Sequence, residues 1–162
     1  MLTREQLKFR DRFLSPVIQR FYYCKSLPMG LITGIRLVRL DEEQSVTEVP
    51  FRWINKNPFR SIYFAVQCMA AELSTAAPVI MALRAVDADA AFIIVEMKVD
   101  FVKKAQSKVV FTCLDYEVIN KAVAKLKHPG DTTTVTARSI GRDVEGDEVA
   151  TFYFTWSFKA RS

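Results

Sequence analysis

Apolar and polar residues alternate along most of the C-terminal half of the chain, with the period expected of strands. Between residues 93 and 104 one face is apolar and the other is charged: Ile93, Val95, Met97, Val99 and Phe101 against Glu96, Lys98, Asp100 and Lys104. Residues 148–158 alternate mainly aromatic side chains with polar ones. One apolar face per strand is typical of an antiparallel sheet that is covered on a single side.

Strand patterns also occur at 31–40, 45–53, 108–118 and 132–142. The polar turn "DEEQ" between the first two predicts a hairpin. Pro50 lacks an amide donor and predicts a free edge in the second strand. The last four strands are joined by short connections, which predicts a meander. The segment "INKAVAKLKHPGD" fits either a helical turn or a strand end followed by a loop.

Helix signals dominate the first part of the chain. Thr3 and Gln6 form a capping-box pattern that opens a helix to about Arg12, and Ser15-Pro16 restarts it. The segment "LPMG" is expected to end the helical part. This pair of helices has an apolar side that is expected to dock on the rest of the protein: Leu2, Leu7, Phe9, Phe13, Ile18 and Phe21.

A long apolar helix is predicted before the last four strands, because residues 61–83 lack Lys and Arg. Asn57-Pro58 fits an N-cap and a first helical position, and Ser61 is a competing cap. The stretch is long enough to span a membrane, but its polar residues and its proline make a lone span costly. A central helix wrapped by one sheet is therefore the better interpretation.

These elements predict an α+β fold in a single domain of 162 residues. The net charge of +5 is scattered, without the basic and aromatic stripe of a nucleic-acid interface. Cys24, Cys68 and Cys113 lack metal-ligand spacing, and the N-terminus lacks the apolar core of a signal peptide. We expect a cytoplasmic protein without a cofactor, a metal, a nucleic-acid partner or a membrane span.

Glu72 is the only acidic side chain of the apolar helix. On a helix it shares a face with Ala65, Cys68, Thr75 and Ala76, which are small or weakly polar and would let a ligand or another chain approach. A buried carboxylate without a partner costs several kcal/mol or takes up a proton. Something outside the helix is therefore expected to face it: water in a cleft, a donor from a second subunit, or a substrate.

The start of the same helix is a second candidate feature. Amides of the first turn have no helical acceptor and carry the positive end of the helix dipole. Directed at a carbonyl oxygen, they make an oxyanion site, with Glu72 further along the same helix. Arg60 lies near this positive end, so it is expected to bind an anion or to extend into solvent.

The order of elements, together with "NPFRSIYFAVQCMAAE", resembles the hotdog fold, specifically the acyl-CoA thioesterases of the phenylacetate-degradation type. An uncharacterised cousin branch is nearest. In that branch an Asn, a Gly-Thr, a His-Gly-Gly and then an Asp or Glu recur with fixed spacing. The matching positions here are Asn57, Ser61 for the Thr, Ala65 for the last Gly, and Glu72. The departures are Arg60 for the first Gly, Tyr63 for the His, and Phe64 for the second Gly.

The resemblance implies a curved antiparallel sheet of about six strands around one long central helix. Residues 1–27 would be an N-terminal helical extension and 28–162 the hotdog core. It also implies a homodimer or a dimer of dimers, with the acid in a cleft at the subunit interface. The substrate would be an acyl thioester of coenzyme A or acyl carrier protein. Its carbonyl would bind the amide of Phe64, and Glu72 would act as nucleophile or general base.

Each candidate also has a structural interpretation. Glu72 could be satisfied across a dimer interface, in a non-catalytic module that binds an acyl chain or a protein. Tyr63 and Phe64 fit core or pocket-lining roles, and Arg60 fits a solvated one. A dehydratase would want a His beside the acid, and Tyr63 argues against it. One group of lysines could contact the phosphates of coenzyme A but fits solvated charge better: Lys103, Lys104, Lys121, Lys125 and Lys127.

Overall fold

Six strands form one antiparallel sheet in the computed structural model, which describes residues 2–86 and 89–161. In chain order the strands are β1 (Arg36–Leu40), β2 (Ser45–Val49), β3 (Ala90–Phe101), β4 (Val109–Cys113), β5 (Thr132–Arg142) and β6 (Glu148–Ala160). Their order across the sheet is β1-β2-β4-β5-β6-β3, so β1 and β3 are its two edges.

The strand order corrects the predicted meander. Of the last four strands, only β4, β5 and β6 are consecutive neighbours, because β3 pairs with β6 rather than with β4. The connection after β3 crosses the start of β6, where the amides of Val102 and Lys103 both donate to the Val149 carbonyl, at 2.9 and 3.2 Å. The free strand edge predicted at Pro50 is also wrong. Pro50 follows the end of β2, and β2 is an interior strand between β1 and β4.

Five α-helices lie in the described ranges: α1 (Arg4–Leu14), α2 (Pro16–Ser26), α3 (Pro28–Thr33), α4 (Phe64–Leu83) and α5 (Tyr116–Val123), with a short 3-10 turn at Trp53–Asn55. The capping box at Thr3 and Gln6 is confirmed. The predicted first strand begins instead as α3 and becomes β1 after Gly34, whose φ of 73° ends the helix. The ambiguous segment at 119–131 is helical at its start.

Hydrogen bonds from the sheet fix the rotation of α4. Thr47 Oγ1 on β2 donates to the Ala70 carbonyl at 2.6 Å, and Trp156 Nε1 on β6 donates to Thr75 Oγ1 at 3.2 Å. By length and composition α4 could cross a membrane, but 72% of its most apolar window is buried inside the protein. The helix is therefore the core of the fold, and a six-stranded sheet packed on one long helix confirms the predicted hotdog fold.

The N-terminal helices cover the β1 edge of the sheet. The buried side chain of Gln19 pairs with both backbone groups of Leu37. Its Nε2 donates to the carbonyl at 2.8 Å and its Oε1 accepts from the amide at 3.2 Å. Gln6 donates to the Met81 carbonyl at 3.1 Å and to the Tyr116 hydroxyl at 2.9 Å. An edge strand that is paired in this way is closed to another chain.

The apolar side predicted for α1 and α2 is only partly used for docking. Phe13 is buried, but Ile18 and Phe21 are exposed, Phe21 by 74%. The prediction is wrong here because two polar side chains, Gln6 and Gln19, are buried instead. Both are stabilised by the hydrogen bonds that they make to the backbone of the core.

The other edge, β3, is open and contains a bulge. Its register with β6 shifts at Val95, so that Ile94 and Met97 both pair with residues of β6 that are buried in the core. Paired residues share a face of the sheet, and an extra residue reverses the alternation. Ile93 and Met97 were predicted to lie on the same apolar face of this strand. The prediction is wrong before the bulge, because Ile93 lies on the opposite face of the sheet from Met97.

Candidate active site

A closed loop, and not a helix, follows Asn57. Asn57 Oδ1 accepts from the amide of Phe59 at 2.9 Å and from both the amide and the hydroxyl of Ser61 at 3.2 Å. The Asn57 amide donates to the Ser61 carbonyl at 2.9 Å. The predicted helix start at Asn57-Pro58 is wrong, because α4 begins at Phe64. The asparagine closes the loop instead of capping the helix.

Arg60 lies in this loop with a φ of 60°, and no other non-glycine residue in the described ranges has a positive φ. The left-handed region is unfavourable for L side chains and easy for glycine. The side chain is exposed, and the described part of the chain offers it no ion pair. Its position is the one at which the family pattern has its first Gly.

We expect Arg60→Gly to raise the free energy of unfolding by about 1 kcal/mol, because it relieves the left-handed strain. Urea unfolding at fixed pH measures the change. Arg60→Ala is the matched control, since it removes the charge but keeps the Cβ, and it should bring no gain. An equal gain in both variants would attribute the effect to the charge and contradict the backbone explanation.

The first turn of α4 has no side-chain cap. Tyr63 is in the N-cap position, and helix geometry leaves the amides of Phe64 and Ala65 without a helical acceptor. The Ser61 hydroxyl, predicted as a competing cap, is used within the loop. The positive end of the helix dipole therefore remains available to a ligand.

A cavity of about 650 Å³ lies at this helix start. Its lining includes four of the predicted substrate-binding residues: Asn57, Ser61, Tyr63 and Phe64. The other two, Arg60 and Ala65, are not in its wall. The rings of Tyr63 and Phe64 pack edge to face with centroids 4.8 Å apart, and both are exposed, so they line the cavity and do not fill the core.

Gln67, Phe101, Val102 and Ala105 also line the cavity and were missed from the sequence, whereas Lys103 and Lys104 were considered there as phosphate contacts. Gln67 is 5% exposed. Its Nε2 donates to the Ile62 carbonyl at 3.1 Å, and its Oε1 has no hydrogen-bond partner. The amide of Ile62 donates to the Ala105 carbonyl at 2.8 Å, which brings the distant segment to the loop. A polar residue in an apolar helix was a signal for Gln67, but Phe101, Val102 and Ala105 carried none.

Glu72 lies on the less buried stripe of α4, together with Ala65, Cys68 and Met69. The shared face predicted for Glu72 is thus confirmed at Ala65 and Cys68, whereas Thr75 and Ala76 are buried. One turn before Glu72, Cys68 Sγ lies 3.3 Å from Met97 Sδ on β3. The stripe that carries the carboxylate therefore reaches the open edge of the sheet.

The carboxylate of Glu72 has no hydrogen bond or ion pair with any residue that the structure describes. Burial raises its pKa from 4.5 to about 7. Burial, and to a smaller extent the charge of Glu72, also raises the pKa of the Cys68 thiol. Cys68 is therefore a neutral thiol rather than a nucleophile, and Glu72 is the group that can exchange a proton near neutral pH.

The lysines considered as phosphate contacts are not assembled at one place. Lys103 and Lys104 line the cavity, but Lys103 Nζ is held by Asp143 at 2.8 Å and by Asp147 at 2.6 Å. An ammonium group that is paired with two carboxylates is not free to bind phosphate. The remaining lysines of the group lie outside the cavity wall: Lys121, Lys125 and Lys127.

The helix start and Glu72 are about 12 Å apart along the helix axis, from the rise per residue. Side chains on a helix tilt towards its N-terminus, so the carboxylate of Glu72 lies closer to the helix start than its own Cα does. Glu72 is not among the residues that line the cavity. The helix start offers two free amides to a carbonyl oxygen, and Glu72, about two turns further along the helix, offers a carboxylate that can take a proton.

Comparison with solved structures supports the fold. A Pseudomonas aeruginosa protein of unknown function, named a probable thioesterase, is 18% identical, with a TM-score of 0.73 over 93% of this chain and 99% of its own. A Haemophilus influenzae thioesterase is 12% identical, with a TM-score of 0.64 over 89% and 90%. A Staphylococcus aureus thioesterase, solved as a single-substitution variant, is 13% identical, with a TM-score of 0.62 over 82% and 98%. The curated proteins contain no match to this chain.

A family match covers most of the sequence, from residue 17 to residue 158. It begins in α2, contains the central helix and strands β1 to β5, and ends inside β6. Helix α1 lies outside it. The chain therefore belongs to the DUF4442 family, which is described as a domain of unknown function.

Proposed function

We propose that this protein hydrolyses an acyl thioester, with Glu72 as the group that takes and returns the proton. The observation that carries the proposal is the carboxylate itself, which lies on an apolar core helix without a partner in the described residues and with a pKa of about 7. A general base works best when its pKa is near the working pH. The thioesterases among the structural neighbours support this class of reaction.

In the proposed reaction, the thioester carbonyl oxygen accepts a hydrogen bond from the amide of Phe64 at the uncapped start of α4. The apolar rings around the cavity, those of Phe59, Tyr63, Phe64 and Phe101, would contact the acyl group. Backbone donors held in place by a helix stabilise the negative charge that develops on the carbonyl oxygen. The wall favours an apolar acyl chain over a charged one.

In the hydrolysis step of the proposed reaction, Glu72 is the base. The carboxylate removes a proton from water while the water oxygen bonds to the carbonyl carbon, and the resulting oxyanion is held by the Phe64 amide. The carbon–sulfur bond breaks as the tetrahedral intermediate collapses. The proton on Glu72 passes to the departing thiolate, so the products are a carboxylic acid and a thiol. The alternative is direct attack by the carboxylate, which would form an anhydride with Glu72.

The variants of one structural neighbour, and the interval between their positions, support the choice of Asn57 and Glu72. The Staphylococcus aureus protein has been solved with a glutamate and, separately, a glutamine replaced by alanine. The two positions are 15 residues apart in that chain, which is the interval between Asn57 and Glu72 here. The same interval underlies the proposed kinship with acyl-CoA thioesterases of the phenylacetate-degradation type.

We also propose that the protein forms a homodimer through β3. The β1 edge is closed by Gln19, whereas β3 is an open edge of 12 residues. Ile93 and Val95 on this strand are 65% and 59% exposed. A long, apolar and unpaired edge strand is a template for pairing with another chain. Pairing there would also cover the stripe that carries Glu72, because Cys68 contacts Met97 on the same strand.

Val95→Lys is expected to convert the dimer to a monomer, since like charges would face each other across the paired edges. Val144→Lys is the matched control. Val144 is 65% exposed in the turn between β5 and β6 and is not part of the β3 edge. Analytical ultracentrifugation over a range of concentrations measures the result. A wild-type monomer, or equal dissociation of both variants, would contradict the interface.

A panel of thioesters tests the proposed activity. Aliphatic and aromatic acyl groups are presented both on coenzyme A and on acyl carrier protein, and release of the free thiol is followed. We expect at least one apolar acyl class to be hydrolysed with a kcat/KM of about 10⁴ M⁻¹s⁻¹ or more. No turnover over the whole panel by the folded protein would contradict the proposal and favour a non-catalytic module.

A further inference from the structure

A second cavity, of about 560 Å³, lies between the N-terminal helices and β1. Its wall includes three arginines, Arg20, Arg36 and Arg52, together with Tyr23 of α2 and the turn at Gly34. No carboxylate is among its lining residues. The residues proposed for hydrolysis do not line it, although the charge of Glu72 contributes to the raised pKa of Tyr23 in its wall.

Two of the three arginines have unpaired charge. Arg36 is paired with Glu48, but Arg20 and Arg52 have no ion pair with any residue in the described ranges. The surrounding sequence adds no negative charge, because residues 12–40 contain no Asp or Glu. Guanidinium groups match the oxygen atoms of a phosphate with pairs of hydrogen bonds. A concave wall with unpaired positive charge therefore favours a phosphate-bearing ligand.

The backbone holds one of these arginines in place. Gly34 has a φ of 73°, and a Cβ at this position would lie 2.9 Å from a guanidinium nitrogen of Arg52. The side chain of Arg52 therefore packs directly over the glycine backbone at the cavity wall. A larger residue at position 34 would displace it.

One residue of the wall, Tyr23, is a buried tyrosine that is 3% exposed. Its hydroxyl group is inaccessible and has no hydrogen-bond partner in the described residues. Burial and, to a smaller extent, the charges of Tyr22 and Glu72 raise its pKa. The charge that the cavity offers to a ligand therefore comes from its arginines.

We propose that this cavity binds a phosphorylated small molecule, with Arg20 and Arg52 on the phosphate group. Its volume lies in the range of sites that hold drug-sized ligands, so it would take an organic part beside the phosphate. The phosphate could belong to a nucleotide or to a lipid headgroup. In both cases the same two side chains recognise the same dianion.

Isothermal titration calorimetry of the full chain tests the proposal. The probes are inorganic phosphate, adenosine 3′,5′-bisphosphate and a soluble short-chain phosphatidic acid, each at low and at physiological salt. We expect a phosphate ester to bind, and binding to weaken as salt increases because charges are neutralised. Tighter binding of the bisphosphate indicates a nucleotide, and tighter binding of the phosphatidic acid indicates a lipid.

Variants separate this site from general charge effects. Arg52→Gln is expected to weaken the binding of the ester at least tenfold, and Arg20→Gln is the second variant if the first does not fold. Arg4→Gln is the control, because Arg4 is exposed on α1 and outside the cavity wall. Absence of ester binding, or equal weakening in all variants, would overturn the proposal. Binding is also measured on Glu72→Gln, because the charge of Glu72 acts on Tyr23 in the cavity wall. Ester binding that persists in this variant does not depend on the proposed hydrolysis.

Discussion

Glu72→Gln is expected to lower kcat/KM for thioester hydrolysis by about 10²–10⁴-fold, the effect of losing a general base. Glutamine has nearly the same size and can still form hydrogen bonds, but it cannot take a proton from water. Initial rates of thiol release measure the change, and circular dichroism shows that the variant is folded. Glu117→Gln is the matched control, because Glu117 is exposed on α5 and lines neither cavity.

The wild-type rate should also depend on pH through the same carboxyl group. The base must be ionised, so activity is expected to rise with pH, with its midpoint at about 7. Below the midpoint the rate should fall about tenfold per pH unit. A flat profile from about pH 5 to 8, or an active Glu72→Gln variant, would show that another group supplies the base.

Isotope labelling tests for an anhydride that is hydrolysed at the Glu72 carbonyl carbon. A single turnover in ¹⁸O-labelled water places the label in the released acid if water attacks the thioester directly. The label enters the Glu72 carboxyl group if an anhydride forms and is then hydrolysed at the protein side. Mass spectrometry of the peptide that contains Glu72 measures this. The separation between Phe64 and Glu72 along the helix leads us to expect the label in the released acid.

The same substitution is expected to stabilise the protein at pH 8 by up to about 3 kcal/mol, which corresponds to a pKa raised from 4.5 to about 7. In the folded state the charged carboxylate is desolvated, whereas in the unfolded state it is hydrated. The stability that the neutral acid contributes is fully present below the unfolded pKa of 4.5 and is lost as pH rises through about 7. Glutamine has no charge to desolvate at any of these pH values.

Urea unfolding at pH 4.5 and at pH 8 measures this difference, at one protein concentration because a dimer is proposed. We expect the gain at pH 8 to shrink to about 0.5 kcal/mol or less at pH 4.5. Glu117→Gln should show no gain at either pH, because its pairing with Lys121 lowers its pKa instead of raising it. If Glu72→Gln were less stable than the wild type at pH 8, Glu72 would be a structural residue with a partner in the assembled protein.

Where a local pattern decides the outcome, prediction from the sequence was accurate. Thr3 and Gln6 are three residues apart, so their capping box depends only on the helix that they open. Glu72 was identifiable because it is the only acid in a long apolar run. The prediction failed at the helix start, where the side chain of Asn57 closes a loop instead of capping a helix. An Asn-Pro pair fits both structures, and only the contacts around it decide between them.

The two cavities were not predictable from the sequence. The wall at the helix start joins residues around Asn57 and Gln67 to the segment 101–105, which follows a different strand. The second cavity joins Arg20 and Arg52 across the turn at Gly34. Such neighbours are brought together by strand order and helix docking, which have no local signature in the chain.

The alternation of apolar and polar residues was enough to derive the α+β class, and a run without Lys or Arg was enough to find the central helix and its single acid, because each is a pattern of residues that are close in sequence. Which edge of the sheet stays open was decided by tertiary contacts, since Gln19 closes β1 and the pairing of β3 with β6 leaves β3 free. The direction in which Glu72 faces was decided in the same way. A carboxylate gains a raised pKa from the residues that bury it, and these come from separate parts of the chain.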